Sequence, residues 1–274
     1  MRAKKSLGQN FLLDPNLQRA IVRVPDIRKS DIVLEIGPGT GALTNHLLGQ
    51  SQRLILVELD DELVKSLRIL SQNREDVEVI HEDFLQLDLL QLVDDFSKLV
   101  VVGNIPYNIT APIIFKLMNH PRPREIVLMV QKEVANRLIA EVGTSEYGAL
   151  SVGLRAVAEV EKIFNVSRRV FSPVPRVDSA LVRIRPFHPP PMSPKDEKSL
   201  RIVTRSAFQW RRKQMQKILR DHHDLKLPRI AIEEIFKNTD WDLSRRPETF
   251  TPDDFIRLAF MIQKFLPCLM LICS

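Results

Sequence analysis

The sequence predicts an α/β protein built on a parallel sheet with helices on both faces, followed by a small helical domain. Three observations predict it. Short apolar runs alternate with amphipathic stretches through residue 142. A glycine turn, "EIGPGTGA" (35–42), follows the first apolar run. A stiff proline-rich segment, "HPPPMSP" (188–194), separates this region from a last stretch that reads as helical. The expected organisation is a domain over 1–187, a linker over 188–194 and a helical domain over 195–274.

The elements come in order. "DIVLEIGPGTGALTNHLLG" (31–49) reads as buried strand, glycine turn and helix. "RLILVELDDELVKSLRIL" (53–70) repeats the pattern, a strand over 53–58 and then a helix with Leu63, Leu67 and Leu70 on one face. A third strand lies in "DVEVIHEDFLQLDL" (76–89) and ends at 81–83. "KLVVVGNIPYN" (98–108) holds a fourth, "APIIFKLMNH" (111–120) a helix, and "EIVLMVQKEVANRLIAEV" (125–142) a fifth strand running into a helix. From residue 149 on, "LSVGLRAVAEV", "EKIFNV" and "SALVRIRP" read as strands added antiparallel at one sheet edge.

Charge is unevenly spread. Lys and Arg outnumber Asp and Glu by 40 to 34. Arg168, Arg169, Arg176, Arg183 and Arg185 stand against the single acid Asp178 between 165 and 185. Between 201 and 220 there are seven basic residues and no acid. That distribution suits a polyanionic partner. Cys268 and Cys273, both in the tail, make neither a disulfide framework nor a metal-ligand spacing, so no metal is expected. The opening has no apolar core for a signal peptide, and the apolar end "FLPCLMLICS" is too short to span a bilayer. The expectation is a soluble, cytoplasmic monomer with no membrane partner.

Ligands of open α/β sheets sit beyond the carboxyl ends of the strands. Gly37, Glu58, Asp83 and Asn104 occupy four such ends. Gly37, Gly39 and Gly41 allow a sharp turn and close approach to a ligand, and Glu58 is spaced to hold two ribose hydroxyls. These features alone equally suit a nicotinamide dinucleotide. Asp83 tilts the reading towards a ligand ending in adenosine, because its carboxylate can accept from an adenine amino group; its alternative role is a helix cap.

"NIPY" (104–107) turns the argument to a planar amine. The exocyclic nitrogen of adenine is a weak nucleophile because its lone pair is delocalised. Two acceptors, the Asn104 side-chain oxygen and the Ile105 carbonyl presented by Pro106, can grip its two N–H bonds and favour an attacking geometry. Tyr107 can stack on the base. The competing role is a proline turn before a helix capped by Thr110.

The chain resembles the S-adenosylmethionine-dependent small-subunit rRNA adenine N6,N6-dimethyltransferases of the KsgA family. "KKSLGQNFLLD" (4–14), "VLEIGPGTGALT" (33–44), "VELD" (57–60), "EDFL" (82–85), "NIPYNI" (104–109), "VFSPVPRVDSALV" (170–182) and "AFQWRRKQM" (207–215) carry the resemblance, in the family's order. It implies a Rossmann-like class I methyltransferase sheet with a small C-terminal all-helical domain. It implies S-adenosylmethionine as cofactor and dimethylation of two adjacent adenosines in the 3′-terminal hairpin of small-subunit rRNA, on a pre-30S-type subunit. It makes Asn10 and Leu12 a lid over the cofactor's methionine end. Gly37 and Gly39 then lie against that end, with Glu58 on the ribose, Asp83 on the adenine and Asn104 between cofactor and amine. Phe171 becomes the aromatic opposite Tyr107 on the flipped base; its alternative role is an edge-strand core residue.

Helical spacing through 207–219 places Phe208, Met215 and Leu219 on one face, with Arg211 and Arg212 in the gap of that stripe. Arg168, Arg169, Arg211, Arg212 and Lys213 are the expected RNA contacts. Two alternatives stay open at this point. One is the sister group that dimethylates large-subunit rRNA, and the other is a non-catalytic ribosome-assembly or transcription factor on the same fold.

Overall fold

The computed structural model describes residue 4, residues 7–263 and residue 265. The two cysteines and nearly all of the apolar tail lie outside the described residues. Among the described residues, no helix is long and apolar enough to cross a membrane.

The chain forms two compact units, Met1–Ala135 with Val160–Pro186, and Asn136–Glu159 with Phe187–Ser274. The first unit opens with β1 (Phe11–Leu12) and α1 (Pro15–Val22), which Asp14 caps by accepting from the Asn16 and Leu17 amides. Then come β2 (Ile32–Ile36), the single-turn α2 (Thr44–Leu47), β3 (Arg53–Glu58), α3 (Asp61–Ser71) and β4 (Val77–His81). After these follow β5 (Leu99–Asn104), α4 (Thr110–Leu117), β6 (Glu125–Gln131) and α5 (Lys132–Leu138). The chain continues with α6 (Ala149–Arg155), β7 (Ala158–Val166), β8 (Phe171–Ser172) and β9 (Ser179–Pro186).

Seven strands form one sheet in the order β4-β3-β2-β5-β6-β9-β7. Pairings from β4 through to β6 are parallel, and β9 runs antiparallel to β6, as the alternation and the edge strands predict. The central strands are continuous Val/Ile/Leu runs because both faces are covered. Register aligns the carboxyl ends: Ile36 lies opposite Val57 and Gly103, and Glu58 opposite His81. Gly103 has no room for a side chain, since a Cβ there would sit 2.9 Å from the Ile36 carbonyl oxygen. A separate ribbon pairs β1 with β8.

The second unit holds α7 (Pro194–Gln209), α8 (Met215–Asp221), α9 (Arg229–Asn238) and α10 (Pro252–Gln263). Ser193 and Asp196 form a capping box at the start of α7. Two expectations are corrected here. Residues 136–159 belong to this unit, not to a domain ending at 187, and "LSVGLRAVAEV" forms helix α6 over most of its length before entering β7. A short apolar run does not distinguish strand from buried helix. What decides is packing: α6 lies on α7 and α10, and the Tyr147 hydroxyl donates to the Phe250 carbonyl at 2.9 Å. In addition, α7 stops at Gln209, so residues 207–219 are not one helix and no stripe interrupted by Arg211 and Arg212 exists.

Candidate active site

A cavity opens beyond the carboxyl ends of β2, β3, β4 and β5, and Gly37, Glu58, Asp83 and Asn104 all line it. The four strand-end residues singled out in the sequence therefore converge.

Gly37 has φ +63°, and no atom lies within 4 Å of where its Cβ would stand, so the main chain itself faces the open cavity. Gly39, at φ +60°, is crossed by the Phe11 ring, 3.3 Å from its Cβ position. Glu58 ties this turn to the next strand end. Its Oε2 accepts from the Gly39 amide at 3.0 Å, and its Oε1 accepts from the Leu59 and Asp60 amides, each at 2.9 Å. Burial pushes the Glu58 carboxyl up, against the pull of those three N–H groups. Asp60 in turn caps α3 and accepts from Gln9 Nε2 at 2.9 Å and Lys4 Nζ at 2.8 Å, fastening the N-terminal segment beside Glu58.

Asp83 begins the turn that follows β4. Its Oδ1 accepts from the Leu85 amide at 2.9 Å, closing a turn rather than capping a helix, and its Oδ2 has no partner among the described residues. Lys116 holds the same turn by donating to the carbonyls of Leu85 and Leu87.

At the end of β5, Asn104 Nδ2 donates to the Asn10 carbonyl at 3.0 Å. That bond fixes the amide's orientation and leaves Oδ1 without a hydrogen-bond partner among the described residues. The Ile105 carbonyl also accepts no hydrogen bond among the described residues. Pro106 caps the 3-10 turn Tyr107–Ile109, and Thr110 does not cap α4: its hydroxyl donates back to the Pro106 carbonyl at 3.4 Å. The Tyr107 hydroxyl lies 2.6 Å from Ser179 Oγ, and burial raises its pKa.

Comparison with known proteins now bears on this geometry. The family model described as ribosomal RNA adenine dimethylase matches residues 1–250. The chain belongs to the ribosomal RNA adenine dimethylase family. A relative called ribosomal RNA small subunit methyltransferase A, from Pseudomonas aeruginosa, is 40% identical over 259 residues, 94% of each chain. Among solved structures, a dimethyladenosine transferase from Plasmodium falciparum superposes with a TM-score of 0.77 at 29% identity, covering 93% of this chain and 98% of that one. The 23S rRNA methyltransferase ErmE gives 0.72 at 27% identity, over 92% and 99%.

The adenine dimethylase family implies an S-adenosylmethionine cofactor, and the residues fit it. The bare main chain at Gly37 accommodates a ligand where any Cβ would intrude. Glu58 and the free Asp83 Oδ2 offer acceptors one strand apart, suited to a ribose and an amino group. Leu59, Phe84 and Leu85 add apolar walls beside them. Leu59 is 48% exposed although apolar, a wall the sequence reading missed; its signal was a leucine directly after the strand-end acid. Glu35, also missed, lies buried in the cavity wall and accepts from the Thr44 hydroxyl at 2.7 Å; burial pushes its pKa up to about 8.

Asn10 and Leu12 line the cavity, with Leu12 also buried in the core. Two expected contacts are corrected. Phe171 is 2% exposed and sits in the hydrophobic core with Leu12, Ile21 and Val166, away from the cavity wall. Its main chain pairs with Leu12. Arg211 does not offer a free guanidinium: it donates to the Thr144 and Ser145 carbonyls at 2.7 and 2.6 Å, bracing a loop of its own unit. Arg168, Arg169, Arg212 and Lys213 are exposed.

Proposed function

We propose that the protein transfers methyl groups from S-adenosylmethionine to N6 of two adjacent adenosines in the 3′-terminal hairpin of small-subunit rRNA, giving N6,N6-dimethyladenosines. The curated relative's name supports the small-subunit target over the large-subunit one, and family membership supports adenine dimethylation. The observation that carries the chemistry is the pair of bare acceptors, Asn104 Oδ1 and the Ile105 carbonyl, beside an amide whose nitrogen is already held by Asn10.

The cofactor supplies an electrophilic methyl group. The protein's part is to present the amine. Asn104 Oδ1 and Ile105 O each accept one N–H of adenine N6, which turns its lone pair out of conjugation. An amide suits this position because a carboxylate would attract the cationic sulfonium and compete for the methyl group. Tyr107 walls the cavity beside these acceptors and is placed for the face of the base. The methylated nitrogen is briefly cationic and releases its proton to water, so no strong base is needed. Orientation of this kind supplies a large share of a barrier, roughly 7–11 kcal/mol in favourable cases.

On this reading Gly37, Gly39, Asn10 and Leu12 flank the methionine end, Glu58 binds ribose and Asp83 binds adenine. Arg168, Arg169, Arg212 and Lys213 contact RNA phosphates, and the helical unit assists in holding the RNA. The protein works as a cytoplasmic monomer on a pre-30S-type particle.

The test is Asn104→Ala, assayed with labelled cofactor on unmodified small ribosomal subunits, with dimethyladenosine mapped by reverse-transcription stops. Transfer is expected to fall at least about a hundredfold with RNA affinity retained. Undiminished transfer would remove the amide from its assigned role.

A further inference from the structure

We propose that residues 172–178 form an apolar wedge inside an arginine collar, which enters the RNA beside the target adenosine and holds that base out of its stack. The inference rests on the RNA-methylating function proposed above and assigns the step that precedes chemistry.

The loop starts and ends against residues that line the cavity. At its start Phe171 pairs with Leu12, and at its end Ser179, 0% exposed, holds the Tyr107 hydroxyl. Leu12 and Tyr107 both line the cavity. Whatever the loop engages therefore lies beside the acceptors of Asn104 and Ile105.

The loop is also braced. Pro173 and Pro175 restrict two of its φ angles. The Lys132 amide donates to the Asp178 carbonyl at 3.0 Å, and Asp178 Oδ1 accepts from the Arg168 amide at 3.0 Å. Arg168 Nη1 reaches across to the Arg176 carbonyl at 3.0 Å. A loop fastened this way presents its tip without a large ordering cost on binding.

Its exposed face combines two kinds of group. Val174 and Val177 are 60% and 44% exposed. Arg168, Arg169 and Arg176 neighbour them in the chain, all exposed, with Arg168 also donating to the Arg176 carbonyl. The one nearby acid, Asp178, is already engaged with the Arg168 main chain. An apolar tip flanked by cations matches a partner that offers flat base faces bordered by phosphates. Apolar side chains inserted at base steps unstack them, and a base must leave its stack before its amine is reachable. With Phe171 in the core, the two valines are the apolar groups this loop has for that task.

Three multiple variants test the proposal on unmodified small ribosomal subunits. Val174→Ser with Val177→Ser is expected to lower kcat about tenfold or more, with KM within about twofold of wild type. Val174→Leu with Val177→Leu restores turnover. Arg169→Gln and Arg176→Gln together raise KM about tenfold and flatten its salt dependence, with kcat little changed. All three variants keep the wild-type melting temperature and S-adenosylmethionine affinity, because the substituted side chains are exposed. A serine variant that turns over subunits like wild type overturns the wedge and leaves the methyl-transfer reading standing. Equal loss in the serine and leucine variants also overturns it, since a wedge needs apolar bulk. Wild-type protein that transfers nothing to subunits overturns the methyl-transfer reading, and the wedge with it.

Discussion

Glu58 is the residue whose removal separates binding from architecture most clearly. Its carboxylate accepts three main-chain N–H groups, from Gly39, Leu59 and Asp60, at 2.9 to 3.0 Å. In Glu58→Gln, an amide oxygen at the Oε1 position keeps the Leu59 and Asp60 bonds, and the amide nitrogen then faces the Gly39 N–H. One charge-assisted bond is lost and two donors oppose each other, a cost of about 2 kcal/mol. In Glu58→Ala all three donors lose their acceptor. Water entering from the cavity satisfies some of them, and both variants escape the burial penalty that raises the wild-type pKa. The net cost for alanine is then about 3–4 kcal/mol. Urea unfolding reads the stability order, wild type above glutamine above alanine. Calorimetry with S-adenosylmethionine reads the affinity, expected to fall in both variants as the glycine turn loosens and the ribose loses its acceptor. An alanine variant that unfolds at the wild-type midpoint, or a glutamine variant as costly as alanine, would refute the keystone role of this carboxylate.

Glu35 predicts a pH dependence. Burial holds its native pKa near 8 against an ordinary value of 4.5, so the folded state keeps a proton that the unfolded state gives up. The group is neutral to stability below about pH 4.5. Its contribution then falls as pH rises towards 8 and levels off above, by up to about 5 kcal/mol. Glu35→Gln keeps an acceptor for Thr44 and is expected to flatten this slope between pH 5 and 8 in urea titrations; an unchanged slope would place the titration elsewhere. Arg211→Ala is expected to cost about 2 kcal/mol of stability through its two carbonyl contacts while leaving the salt dependence of RNA binding intact. Arg212→Ala and Lys213→Ala are expected to do the reverse, which filter binding at two salt concentrations distinguishes.

The chain by itself determined the parallel sheet, because strand period, glycine turn and helix faces are local patterns that each residue run carries alone. It also determined which strand ends matter: Gly37, Glu58, Asp83 and Asn104 converge wherever parallel strands share one register. Tertiary structure decided the rest. A short apolar run becomes helix α6 only because α7 and α10 offer a surface for it, and a basic residue such as Arg211 becomes a brace only because two carbonyls come within its reach. Phe171 packs in the core beside Leu12, its partner across the β1–β8 ribbon, and these two segments are remote from each other in the chain. Nor does composition say that Asn10 fixes the Asn104 amide, or that Glu58 knits two loops together. Those roles depend on direction and distance between groups remote in sequence, and local periodicity holds no record of either.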